Sequence, residues 1–333
     1  MWSVLIWFGF LDTSPTVKPL AAPPLRPESG YASACYSIEK VGHLNCGEEE
    51  TGYWAFYPER KDIKSAPVII FLHGYGAINP LCYGAWIDHL VKSGNIVIYP
   101  RYQQSILVTP TEKFVMNSAI AIRNALNDIP KATGIIPDTT NTIYVGHSYG
   151  GAISANIAAT FESLHLPSPR GVMLCQPGTA FLKGALLDSY SNIPAYTKLI
   201  SIVGEDDKVV QDVLGKKVYK TATNTPNRNL VRHFADHVGD PLISAEHREP
   251  YAVNMDYDKN YRNVTVWKTI KYSKVNSVDY YCYWKLLDAL QQCVRASDEC
   301  NICFGNTPEQ RFMGKWSDGT PVRELEITTP VYN

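Results

Sequence analysis

Apolar residues along this chain fall into short unbroken runs, at 66–72, 95–100, 142–145, 171–175, 199–203 and 229–234. A run with no alternation, rich in Val, Ile and Leu, predicts a strand covered on both faces. The stretch 52–58 alternates instead, which predicts a half-buried strand. Between the runs lie segments with helical spacing, over 83–92, 111–127, 150–161 and 279–294. In the second of these, Phe114, Val115, Ala119, Ile122 and Leu126 fall on one side. Strands alternating with helices predict an α/β fold with a mostly parallel central sheet and helices on both faces. Chemistry in such a fold belongs at the carboxyl ends of the strands.

Candidate chemistry gathers at those ends. The strand 142–145 runs into Gly146-His147-Ser148-Tyr149-Gly150, the pattern G-x-S-x-G, and then into a helix. A serine at the tip of such a bend has a strained backbone, and the flanking glycines let strand and helix approach. The helix start supplies free N–H groups and a positive dipole end beside the hydroxyl. A serine needs a base to take its proton and a third group to aim that base. After the strand 199–203 comes Gly204-Glu205-Asp206-Asp207, where Asp207 is preferred as the acid and Asp206 is the alternative. For the base, His165 comes before the acid and His233 falls inside a strand. His237 and His247 both lie in the loop beyond, with His247 ranked first. His147 is expected to pack on the sheet top. Two backbone N–H groups suit an oxyanion, that of Tyr149 after the serine and that of Tyr75 in His73-Gly74-Tyr75-Gly76.

Composition narrows the class. The 333 residues carry a formal net charge of -1, with 19% charged and 45% hydrophobic, so no global field would gather nucleic acid or anionic membranes. The run from Met1 to Leu11 is apolar, too short to span a bilayer, and long enough for an export signal. Five prolines from Pro15 to Pro27 predict an extended linker. The expected division is therefore a tail and linker over 1–28 and one domain over 29–333 ending in a cysteine-containing extension. Eight cysteines, an even number, suit disulfides in an exported protein better than a metal site. Cys300-Asn301-Ile302-Cys303 lacks a second pair at zinc-ribbon spacing. Asn263-Val264-Thr265 is a single glycosylation sequon.

The segments His73-Gly74-Tyr75-Gly76-Ala77, Gly146-His147-Ser148-Tyr149-Gly150-Gly151, Gly204-Glu205-Asp206-Asp207 and Ala245-Glu246-His247-Arg248-Glu249-Pro250 occur in the order of the α/β-hydrolase superfamily. Over residues 50–295 the chain resembles its compact, lid-poor serine esterases, those similar to dienelactone hydrolases and cutinase-type lipases. A histidine followed shortly by proline favours His247 in such enzymes. The segments 279–288 and 313–319 resemble motifs of one bacterial hydrolase subgroup, in which a cysteine at 282 is unusual. The resemblance implies an ester hydrolase using Ser148, His247 and Asp207, acting on small-molecule or lipid esters with no cofactor. An acyltransferase or peptidase on the same residues, or a silent binding module of this fold, are the alternatives.

Overall fold

The computed structural model describes residues 20–107, 110–182, 184, 186–296 and 300–330. Its centre is a nine-stranded sheet in the order β1-β2-β4-β3-β5-β6-β7-β8-β9. The expected strands become β2 (Tyr53–Pro58), β3 (Ser65–Leu72), β4 (Ile96–Pro100), β5 (Ile136–His147), β6 (Gly171–Cys175), β7 (Lys198–Gly204) and β8 (Arg228–His233). From β4 through β3, β5, β6 and β7 to β8, neighbours pair in parallel. β1 (Val41–Cys46) pairs antiparallel with β2, β2 with β4, and β9 (Glu326–Thr328) with β8. The sheet is thus mostly parallel, as its continuous apolar runs imply.

Those runs bury both faces because alternate residues enter different cores. Ile69 and Phe71 of β3 join Val97 and Tyr99 of β4 on one face. Val68, Ile70 and Leu72 join Ile96 and Ile98 on the other. The first face is covered by α1 (Gly84–Lys92) through Trp86, Ile87 and Leu90. The second is covered by α2 (Phe114–Thr133) and by α3 (Tyr149–Thr160), which contributes Ile153 and Ile157. α4 (Val213–Thr221) packs Leu214 and Val218 against the alanines of α3. α5 (Val264–Tyr272) follows the loop after β8. The predicted C-terminal helix begins as a π-helical turn over Asp279–Trp284 and continues as α6 (Lys285–Arg295), whose Leu286, Leu287 and Leu290 complete the first face.

The apolar run read as an export signal lies outside the described residues. Residues 20–28, expected to be a linker, are extended but bound to the body. The Asp240 N–H donates to Ala21 O at 3.0 Å, and Ala22 exchanges hydrogen bonds with Ser317 at 2.9 and 3.0 Å. Tyr281 Oη donates to Leu25 O at 2.9 Å. The Arg26 guanidinium lies 5.0 Å from the centre of the Trp284 ring and donates to the carbonyls of Ala32 and Ser33. Proline fixes an extended backbone here, but the exposed carbonyls of that backbone find donors on the C-terminal segment. Cys293 and Cys300 form a disulfide. The Cys303 thiol is separate and buried, so the C-x-x-C is not a pair of free thiols. Cys282 is buried in the first core, and burial pushes its thiol up to about 12.

Candidate active site

β5 ends at His147 and α3 begins at Tyr149, which leaves Ser148 alone at the bend with φ 56° and ψ −120°. A side chain in that left-handed region is strained and persists only where neighbours fix it. They do so through the backbone: Ser148 N–H donates to Cys175 O at 3.0 Å, and Ser148 O accepts from Gly151 and Gly178 at 2.9 and 3.1 Å. The two glycines of the motif are sterically required. A Cβ on Gly146 would overlap Gly150 O, and one on Gly150 would overlap the backbone of Leu72 and His73 at the end of β3.

Asp207 follows Gly204, the last residue of β7, in a tight turn and is buried. Its Oδ1 accepts from the N–H groups of Val209 and Val210 at 2.9 and 3.0 Å. Its Oδ2 faces His247 Nδ1 at 2.8 Å, and His247 Nε2 lies 2.8 Å from Ser148 Oγ. Burial alone would raise the Asp207 carboxyl. The hydrogen bond and charge of His247, with the two backbone donors, outweigh it and hold the group below the ordinary carboxylate range. A carboxylate that stays ionised accepts Nδ1–H, which leaves Nε2 as the acceptor facing the serine hydroxyl.

His247 sits on irregular chain, and three contacts fix that chain. Gln176, at the end of β6, donates from Nε2 to Glu246 O at 2.9 Å. Asp206 N–H donates to Ala245 O at 3.2 Å. His147 Nε2 lies 2.9 Å from His247 O. Next to the loop, Glu249 is buried and hydrogen-bonded to Ser244 and Asn276, and burial raises its carboxyl. None of these partners had a sequence signal beyond the motif itself. Gln176 could have been suspected only from its place at a strand end, and Glu249 only from its adjacency to His247.

The sequence alternatives separate cleanly. Asp206 is exposed and points into the cleft, whereas Asp207 is buried against His247. His237 is exposed on the loop after β8, and no hydrogen bond joins it to Ser148 or Asp207. His165 is exposed beyond α3. His233 is buried at the end of β8, its Nε2 3.2 Å from Tyr283 Oη, and burial lowers it to about 4. Among the described residues, no group of His, Cys, Asp and Glu could hold a metal ion.

A cleft of about 710 Å³ lies above Ser148 and His247. Tyr75, Tyr149, Phe181, Leu182, Val209 and Tyr251 give it an apolar lining. One wall comes from residues 178–182 and the other from α5 through Thr265, Lys268 and Tyr272. That second wall had not been expected from the sequence. Tyr149 is the first residue of α3, so its N–H has no acceptor within the helix and lies beside Ser148. Tyr75, in the turn after β3, borders the same cleft. The cleft therefore opens onto the Ser148 hydroxyl and the His247 imidazole.

Two family models match parts of the chain, Chlorophyllase over residues 56–168 and Serine hydrolase (FSH1) over residues 137–238. Neither spans half of it, but they overlap on β5, Ser148 and α3, the bend around which the parallel sheet is built. The fold is that of the α/β-hydrolases. No curated protein matches it. Among solved structures, one from a study of two fungal esterases of Rhizomucor miehei is similar at 17% identity. It covers 60% of this chain and 75% of its own with a TM-score of 0.44. The serine hydrolase match over residues 137–238 supports an enzyme of the hydrolase class. Among its described residues, no helix is long and apolar enough to cross a membrane.

Proposed function

We propose that this α/β-hydrolase cleaves carboxylic esters through a Ser148–His247–Asp207 triad and an acyl-enzyme intermediate. One observation carries the reading: Oγ of Ser148, both nitrogens of His247 and Oδ2 of Asp207 form a continuous chain with two contacts of 2.8 Å. In the first half-reaction, His247 Nε2 takes the serine proton as Oγ bonds to the ester carbonyl carbon. The negative charge passes to the carbonyl oxygen, which accepts from the N–H groups of Tyr149 and Tyr75. The tetrahedral species collapses, the C–O bond to the alcohol breaks, and the proton on Nε2 passes to that leaving oxygen. Water then repeats the sequence on the acyl-enzyme, with His247 as its base, and releases the acid.

The Asp207 carboxylate fixes the tautomer and stabilises the transient imidazolium without accepting a proton. Each oxyanion donor is worth roughly 2.7–4 kcal/mol in the transition state. The apolar cleft lining favours esters with an apolar acyl or alcohol part, which a site of this volume takes out of water. Two measurements test the reading. A fluorophosphonate probe is expected to label the protein at Ser148 and not to label Ser148→Ala. The same substitution is expected to remove p-nitrophenyl acetate hydrolysis. Labelling or turnover that survives it would refute the assignment of the nucleophile.

A further inference from the structure

His147 is the residue of the serine bend that the proposed chemistry does not use. It is completely buried, yet both ring nitrogens are engaged. Nε2 is 2.9 Å from His247 O, and Nδ1 is 2.8 Å from Tyr83 Oη. Tyr83 Oη in turn accepts from Gly74 N–H at 2.9 Å. Every donor in this path is determined. A carbonyl can only accept, so His147 must carry its proton on Nε2. Nδ1 must then accept, so Tyr83 donates to it and turns its oxygen lone pairs to Gly74. The path thus runs Gly74 N–H to Tyr83, Tyr83 O–H to His147, and His147 N–H to the carbonyl of His247. It joins the turn that holds Tyr75 to the main chain of the base.

We propose that His147 is a positioning residue for the reaction, held in one tautomer by Tyr83, that sets the main chain of His247 relative to the Gly74–Tyr75 turn. This rests on the ester-hydrolase reading above. Three observations support it. The ring centres of His147 and His247 are 4.9 Å apart, so the two imidazoles pack as neighbours in one layer. Tyr251 stands edge-on to His147 at 4.9 Å and closes the layer from the cleft side. A Cβ on Gly74 would come within 3.2 Å of both His147 Nδ1 and Tyr83 Oη, so glycine leaves the path its room.

The path also needs His147 neutral, because a proton on Nδ1 would turn Tyr83 away and place a second positive charge beside the imidazolium that forms on His247. The groups facing it are His247, Asp207, Tyr83 and Tyr251. Burial first, and then the charge of His247, hold it well below the ordinary histidine value, while the carbonyl of His247 and the charge of Asp207 oppose them. It therefore stays neutral while His247 cycles.

The test compares His147→Phe, His147→Gln, Tyr83→Phe and the double variant His147→Phe with Tyr83→Phe, each first titrated with a fluorophosphonate to count active sites. The phenyl ring keeps the packing and loses the donor, whereas the glutamine amide restores an N–H towards the carbonyl of His247. His147→Phe is expected to lower kcat for p-nitrophenyl acetate by about 10- to 100-fold with KM within about twofold, the size of loss that a small misplacement causes. His147→Gln is expected to recover most of that loss. The double variant is expected to fall no further than the worse single one, because both substitutions cut the same path. A kcat within about twofold of the parent for His147→Phe would overturn the proposal. So would equal losses for Phe and Gln, or losses that multiply in the double variant. If the variants carrying His147→Phe do not fold, Tyr83→Phe against His147→Gln decides it: Tyr83→Phe, which leaves Gly74 N–H without its acceptor, is expected to lower kcat by about 10-fold or more while His147→Gln stays close to the parent, and a kcat within about twofold of the parent for Tyr83→Phe would overturn the proposal. Failure of Ser148→Ala to remove turnover would instead defeat the ester-hydrolase reading and leaves a distinct signature.

Discussion

Replacing Asp207 by asparagine exchanges one oxygen for an amide nitrogen, and the structure fixes which way the amide must point. Oδ1 accepts two backbone N–H groups, from Val209 and Val210 at 2.9 and 3.0 Å. An asparagine carbonyl would stay on those donors. Turning it round would set the NH2 against two buried N–H groups, each costing roughly 1–3 kcal/mol if left unpaired. The NH2 therefore faces His247 Nδ1, which must become an acceptor. The proton moves to Nε2, 2.8 Å from Ser148 Oγ, where the base is meant to be empty. The hydroxyl then has no acceptor for its proton. The expected loss in kcat is about 10⁴-fold, the size known for a triad with the wrong tautomer. That equals about 5.5 kcal/mol of activation free energy. Initial rates on p-nitrophenyl acetate measure it, normalised to correctly folded protein by the thermal midpoint. Because the variant keeps the turn's hydrogen bonds, that midpoint is expected to move little. A variant retaining a tenth or more of the parent kcat, roughly 1.4 kcal/mol or less, would refute both the amide orientation and the role of Asp207.

Two further outcomes follow from the packing. Gly150→Ala places a methyl group into the backbone of Leu72 and His73, which cannot rotate aside. It is expected to lower stability by about 1–3 kcal/mol or more and to abolish fluorophosphonate labelling, and a urea midpoint equal to the parent's would contradict the close approach of β3 and α3. Asp279 is buried, and burial raises its carboxyl well above the ordinary value, with the Asn276 N–H opposing and the nearby Glu249 charge adding. An acid held protonated to higher pH in the fold than in the unfolded chain makes the fold gain stability as pH drops from neutral towards the unfolded carboxylate value, about 3.9. Asp279→Asn cannot titrate, so the difference in thermal midpoint between about pH 5 and about pH 8 is expected to shrink, and an unchanged difference would refute the assignment.

The central strands were legible because burial on both faces leaves an unbroken apolar run, and β3, β4, β6 and β7 all carry one. β1 and β9 were missed for the converse reason. Val41–Cys46 and Glu326–Thr328 lie at the two edges, and much of each remains solvent-facing. α4 and α5 bury only a few side chains each, so their apolar spacing is faint. At the candidate site, Ser148 and Asp207 closely follow β5 and β7, whereas His247 lies in the loop beyond β8, and the sequence motifs name the three in order. The residues that hold them in register (Gln176, Tyr83 and His147) make their contacts across 60 or more positions of chain. Such contacts depend on the sheet order, which local pattern does not encode.

The bound segment at residues 20–28 ties the beginning of the described chain to its far end. Its carbonyls at Ala21, Ala22 and Leu25 are held by Asp240, Ser317 and Tyr281. A shortened protein starting at residue 29 would strip three donors of their acceptors and uncover the face of Trp284, although no residue of the cleft would be lost. Trimming that end is therefore a change to the support of α6 rather than the removal of a tail.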